Sequence, residues 1–277
     1  MAEAAGPERA PAGQTERSSR AAGASPAARD AGSWAAKVER LEVGQRAGAR
    51  GTNVAGRRLT GPMQGFGQMW QKTYWLAAGD VASPQQAIAI WKAHFPEFWP
   101  NGSRFSGALT GIAPGEVALL DLTIGAGVKL STGVFVLYAD EESFTLMTPQ
   151  GHMFAGWITL SAQRDEDGTV IQAQVLMRAN DPLYERALMC GGHSKEDHFW
   201  EHTLTALGER LGVFRPAVHK RAVCLDSRRQ WGNAANIWQN SAARSVLQSL
   251  SAPVTARRHR RRGAADRAAR PGPGEGR

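Results

Sequence analysis

The stretch "HMFAGWITLSAQRDEDGTVIQAQVLMRAN", residues 152–180, decides the fold. It holds two runs of alternating side chains joined by an acidic link that ends in glycine. Successive side chains of a strand point to opposite faces. In the first run His152, Phe154, Gly156, Ile158 and Leu160 share a side, opposite Trp157, Thr159 and Ser161. In the second, Ile171, Ala173, Val175 and Met177 share a side, opposite Gln172, Gln174 and Arg178. A hairpin closing about Asp165-Glu166-Asp167-Gly168 sets Ile158 beside Val175 and Leu160 beside Ala173. The two apolar faces then coincide, as an antiparallel sheet covered on one side requires. The same register points His152 inward, provided that the strand begins before it. Thr148-Pro149-Gln150-Gly151, just upstream, suits a type I turn with Pro second and Gly fourth.

Working outward, "KTYWLAAGD" (72–80) reads as a strand and "SPQQAIAIWKAHFPEFWP" (83–100) as a helical segment. Ser83 is placed to cap it, Pro84 suits its first turn, Gln86 completes a capping box, and Pro96 breaks it. "SRFSGALTG", "EVALLDLTIG", "VKLSTGVFVLYA" and "SFTLMTP" are further strands. Their short links make neighbours antiparallel, because a parallel crossover needs a dozen or more residues. "HSKEDHFWEHTLTALGERLGV" (193–213) has helical spacing, with Trp200, Leu204, Leu207 and Leu211 on one stripe. His193 continues the stripe backward, flanked by Glu196 and Asp197, while His198 and His202 fall on the opposite side.

The outer segments differ in composition. Residues 1–60 are rich in Ala, Gly, Arg, Ser and Pro, with weak apolar periodicity, and read as a disordered extension with a short helix at "SWAAKVERLEV". The start lacks the apolar core of a secretory signal, and Glu3, Glu8 and Glu16 speak against a transit peptide. Residues 251–277 read as a basic disordered tail. They hold eight Arg against Asp266 and Glu275, a net +6, so the rest of the chain carries only +2 of the total +8. The basic balance therefore says little about the folded body. Residues 214–250 form an additional, partly helical segment whose weak stripe includes Ile237 and Trp238. Cys190 and Cys224 make no C-x-x-C pair, which argues against a disulfide framework or a zinc site and fits a reducing cytoplasm.

The order of elements resembles the SRPBCC (START-like, Bet v 1-like) superfamily over about residues 70–213. The carriers are "SPQQAIAIWKAHFPEFWP", the run from "EVALLDLTIG" to "TVIQAQVLMRAND", and "HFWEHTLTALGERLGV". More narrowly, "LMTPQGHMFAGWITLSA" and "RANDPLYERALMCGGHSKEDHFWEHTL" look like uncharacterised bacterial members. The resemblance implies an α+β helix-grip fold, a curved antiparallel sheet wrapped around a long C-terminal helix. An apolar cavity is expected between sheet and helix, and a small hydrophobic molecule, a lipid or aromatic metabolite, is the expected partner. No cofactor and no catalytic motif come with it.

The residues expected to line that cavity are Trp91, Phe95, Phe154, Ile158, Val175, Met177, Trp200 and Leu204. Trp91, Phe95, Phe98, Trp99 and Trp200 read equally well as plain core. His152 at the cavity edge would orient a ligand carbonyl or act as acid or base; the bland reading is a histidine bonded to backbone at a strand start. His193 and Asp197, four apart, are able to meet as a polar clamp; the bland reading is an ordinary helix start. These two histidines define a second functional class, a cyclase- or hydratase-like enzyme. The spacing "HFWEH" is not H-E-x-x-H, so a solvated helix face is expected at His198 and His202, not a metal site. "ARRHRRR" (256–262) defines a third class, an interaction protein touching nucleic acid or an anionic surface, although no aromatic side chains interleave it for base stacking.

Overall fold

The computed structural model describes residues 31–43, 51, 53–106, 111–124 and 128–245. Strand β1 (Met69–Gly79) leads to helix α1 (Pro84–Ala93). The cap is the one its sequence announces. The Gln86 amide donates to Ser83 Oγ at 3.2 Å, and the Ser83 amide donates to Gln86 Oε1 at 2.9 Å. The helix ends at His94, and a 3₁₀ turn follows at Phe95–Phe98, where Pro96 cannot continue the α-helical ladder.

Six strands then form an antiparallel meander: β2 (Arg104–Ser106), β3 (Val117–Ile124), β4 (Val128–Ala139), β5 (Ser143–Met147), β6 (Phe154–Asp165) and β7 (Gly168–Ala179). In the β6–β7 hairpin Ile158 faces Val175 and Leu160 faces Ala173, the register that alternation demands. β7 pairs back onto β1. A short helix α2 (Pro182–Ala187), capped by Asp181, and a wide turn at Leu188–Gly192 lead into α3 (His193–Leu211). The helix lies against one face of the sheet, and the main core sits between them. The α+β helix-grip expectation is met.

Three parts differ from what the sequence leads one to expect. Residues 31–43 and 53–60 are not an unstructured extension. Leu41 and Val54 are buried with Phe135 on the opposite face of the sheet, joined by Leu59, Val117 and Leu119. Gly133 makes this approach possible, because a Cβ there would stand 2.9 Å from a Val54 methyl. Residues 1–30 and the basic tail lie outside the described residues. The partly helical segment after α3 opens with a strand that its sequence does not announce, β8 (Val218–Asp226), which pairs antiparallel with β1 and gives the sheet order β2-β3-β4-β5-β6-β7-β1-β8. A 3₁₀ helix (Trp231–Gln239) and a helical turn from Ser241 follow, with Trp238 exposed rather than packed.

The turn before β6 also sits one residue later than its sequence suggests. The His152 amide donates to the Pro149 carbonyl at 3.1 Å, so the turn is Pro149–His152. Gly151 takes its third position with φ +87°, as in a type II turn, where glycine avoids the Cβ clash. No helix among the described residues is long and apolar enough to cross a membrane.

Candidate functional site

A cavity of about 220 Å³ lies between the sheet and the N-terminal half of α3. Its wall is overwhelmingly apolar. The sheet supplies Leu120, Val134, Leu146, Phe154, Ile158, Val175 and Met177, and the opposite side supplies Phe95, Trp99, Phe199 and Trp200. The aromatic side packs edge to face: Phe95 on Trp99 at 5.6 Å, Trp99 on Phe199 at 5.0 Å, and Phe199 on Trp200 at 4.9 Å between ring centroids. Such pairs contribute about 0.5–1.5 kcal/mol each beyond their area burial and so favour these ring positions. The cavity stops where the helix meets the sheet. At Gly208 a Cβ would come within 2.6 Å of Leu76, so the missing side chain lets α3 press onto β1. Leu204 and Leu207, fully buried, fill the space there. A long helix held in the concave face of an antiparallel sheet is a helix-grip arrangement.

Six of the eight residues expected around the cavity of this helix grip are in its wall: Phe95, Phe154, Ile158, Val175, Met177 and Trp200. Trp91 and Leu204 are not. Trp91 sits in the solid core, edge-on to Phe144 at 5.8 Å, and Leu204 lies at the closed end. A helix stripe shows which residues face inward but not where the interior is full.

His152 lines the cavity and is 5% exposed. It stands in the turn, two residues before β6, and the Phe154 amide donates to its Nδ1 at 3.0 Å. Burial lowers its pKa to about 4 against the opposing pull of the nearby Phe154 carbonyl oxygen, so the ring is neutral at physiological pH. The bland expectation of a backbone-bonded histidine at a strand start is thus met without removing the ring from the cavity.

His193 and Asp197 do not form the expected clamp. His193 stacks its edge on Trp70 at 5.1 Å, and its nearest carboxylate is Glu196, 3.9 Å from Nδ1. Asp197 is taken by other partners. Lys72 Nζ donates to Asp197 Oδ1 at 2.7 Å and to Glu196 Oε2 at 2.9 Å, and it reaches the His193 carbonyl at 3.4 Å. Tyr74 donates its hydroxyl to the same Asp197 oxygen at 2.7 Å, and Lys220 of β8 pairs with Asp197 and Glu201. Burial pushes the Asp197 carboxyl up, but the Lys72 and Tyr74 hydrogen bonds and the Lys72 charge outweigh it and hold the pKa below its usual value. Burial raises the Tyr74 phenol, and the neighbouring Glu196 charge adds to this. Glu196 brings this cluster to the cavity wall.

Lys72 was open to discovery from sequence. It shares the inward side of β1 with Tyr74 and Leu76, and a lysine at an inward position calls for an acid across from it. His198 and His202 are exposed, and no group of three His, Cys, Asp or Glu side chains among the described residues is placed to hold a metal. Cys190 and Cys224 are free thiols at the surface.

No family model and no curated protein sequence matches the chain. Several solved structures are similar to it. The di-domain ARO/CYC StfQ from the steffimycin biosynthetic pathway is 13% identical, with a TM-score of 0.41 and 53% of each chain covered. A START superfamily protein from Mycobacterium smegmatis is 21% identical, with a TM-score of 0.36, covering 53% of this chain and 98% of that one. Ara h 8.0201 is 12% identical, with a TM-score of 0.38, covering 52% and 99%. The matched part of this chain thus spans about half the length of the di-domain protein. These likenesses concern the fold; what this chain binds has to be argued from its own cavity.

Proposed function

We propose that this protein binds a small apolar molecule of one or two rings in the cavity between its sheet and α3. The observation that supports this is an unfilled, largely apolar space of about 220 Å³ beside the main core. Interiors normally pack at a density of about 0.74, so at that density the space takes on the order of 160 Å³ of ligand, about ten to twelve non-hydrogen atoms. An apolar cavity of about 150 Å³ already accepts benzene. A two-ring hydrocarbon exposes about 280 Å² in water, and burying it contributes about 7 kcal/mol before the costs of association. Dissociation constants from the micromolar to the millimolar range follow.

Naphthalene titration against intrinsic fluorescence tests this, since Trp99, Trp157 and Trp200 are all in the wall. Saturable quenching and a raised melting temperature are expected. Val175→Phe, which places a ring in the cavity, is expected to abolish both while the fold persists. Unchanged emission and melting across one-ring, two-ring and lipidic probes would remove the basis for this reading, as would full naphthalene binding by the filled variant.

A further inference from the structure

The cavity wall holds one polar group whose state is dictated by the backbone. His152 Nδ1 lies 3.0 Å from the Phe154 amide nitrogen and 3.2 Å from the Phe154 carbonyl oxygen. Only one of these contacts is a bond, and the amide decides which. A buried amide N–H must find an acceptor, and leaving one unmet costs about 1–3 kcal/mol. The neighbouring carbonyl of Ala179, opposite Phe154 in the sheet, already accepts from the Phe66 and Gly67 amides. Nδ1 is therefore the acceptor for Phe154, and in a neutral imidazole the proton then sits on Nε2. Nε2, across the ring, has no protein partner among the described residues and is not sealed off by protein atoms. The open space beside this buried ring is the cavity that it lines.

We infer that His152 presents a fixed Nε2–H donor to the cavity, so that the preferred ligand is a compact apolar ring system carrying one hydrogen-bond acceptor. This rests on the cavity reading above and narrows it to neutral carbonyl, ether or aza-aromatic molecules. Besides the indole N–H groups of Trp99, Trp157 and Trp200, of which the Trp99 Nε1 is buried without a partner, no other polar wall group duplicates the donor. Thr148 Oγ1 is held by the Gly156 backbone, Glu196 offers only acceptor oxygens and is tied to Lys72, and Lys195 is exposed. Ser103, half-buried, has a hydroxyl that rotates and favours neither donors nor acceptors. The histidine is also not a base at Nε2, because that nitrogen already carries the proton, nor at Nδ1, whose lone pair is occupied.

Naphthalene, quinoline and indole have nearly one shape and differ in carrying no polar atom, one acceptor or one donor. Their affinities are to be measured for the wild-type protein and for His152→Asn. Asparagine Oδ1 takes the place of Nδ1 and keeps an acceptor for the Phe154 amide, but nothing reaches the Nε2 position. Quinoline is expected to lose about fivefold in the variant, the worth of one ordinary hydrogen bond, while naphthalene changes less than twofold. A long-range ¹H–¹⁵N spectrum of the imidazole reads the tautomer in the unmutated protein and needs no variant to fold. Protonated Nε2 and a shift of its resonance on adding quinoline are expected. Protonated Nδ1, or equal losses of quinoline and naphthalene in the variant, would overturn the inference. If all three molecules bind the wild type equally, only the histidine argument fails; if none binds, the cavity reading fails with it.

Discussion

Lys72→Met is the perturbation that weighs most on this fold. The lysine side chain is 4% exposed and the Glu196 side chain 6%, so both charges sit out of water. Methionine nearly matches the lysine stem in volume, and little packing is lost. What is lost is the ammonium. Asp197 keeps the Tyr74 hydroxyl and Lys220, and it is the more exposed of the two acids at 21%. Glu196 keeps much less. Its Oε1 has no hydrogen-bond partner among the described residues, and Oε2 bonds only to Lys72 within hydrogen-bonding distance. Breaking a buried pair by removing one partner costs about 3–5 kcal/mol, because the remaining charge stays buried and uncompensated. Against a usual total of about 5–15 kcal/mol this is a large share. Urea unfolding of the wild type, Lys72→Met, Glu196→Gln and the double variant measures it as a cycle. The double variant is expected to recover at least about 2 kcal/mol of the single loss, since a neutral amide at 196 no longer needs a cation. A Lys72→Met cost below about 1 kcal/mol, or strictly additive effects, would refute the reasoning that buried Glu196 depends on the Lys72 ammonium.

Two further outcomes follow from other sites. The His152 pKa falls from an ordinary 6.5 to about 4, so its neutral form is the folded one. Stability is complete above pH 6.5 and declines by up to about 3 kcal/mol as pH falls toward 4, because the unfolded chain takes up the proton first; urea midpoints between pH 7 and 4.5 should fall more steeply for the wild type than for His152→Asn, and parallel curves would count against it. Gly151→Ala forces a Cβ to within 2.2 Å of the Gln239 carbonyl at a residue with φ +87°, so a loss of about 1–3 kcal/mol and faster proteolysis within 231–245 are expected, and a wild-type melting curve would contradict the close fit of residues 239–241 against this turn.

The features legible in the sequence are those set by local geometry. Alternation at 154–162 and 169–177 gave the hairpin register because a one-residue slip would expose the whole apolar face. Ser83, Pro84 and Gln86 marked a helix start through contacts only three residues apart. The unread features depend on long-range partners. His193 and Asp197 have the spacing to meet on α3, but spacing on one helix cannot show that Lys72, 125 residues away from Asp197, takes the acid first. β8 has both faces largely exposed, so "VHKRAVCLD" carries no alternation to announce it. Residues 31–43 and 53–60 pack through scattered side chains, Leu41, Val54 and Leu59, and scattered contacts leave no period.

The cavity itself follows from how α3 is fixed at two places. Near its C-terminal end Gly208 presses directly on Leu76, and contact is close enough that no side chain fits between. Near its N-terminal end the helix is held, besides its aromatic contacts, through Lys72, whose side chain reaches from β1 to Glu196, Asp197 and the His193 carbonyl. At one end no side chain fits between helix and sheet, and at the other the whole Lys72 side chain lies between them. Phe199 and Trp200, in the turn after the anchor, are then held at the edge of the gap instead of filling it, and their edge-to-face contact with each other and with Trp99 keeps them there. The same charged residues that cost the domain desolvation energy are therefore what leave an apolar space with a polar rim. Leu204 lies one turn from the close contact at Gly208 and is core, while Trp200, one turn earlier and next to the Lys72 bridge, lines the cavity.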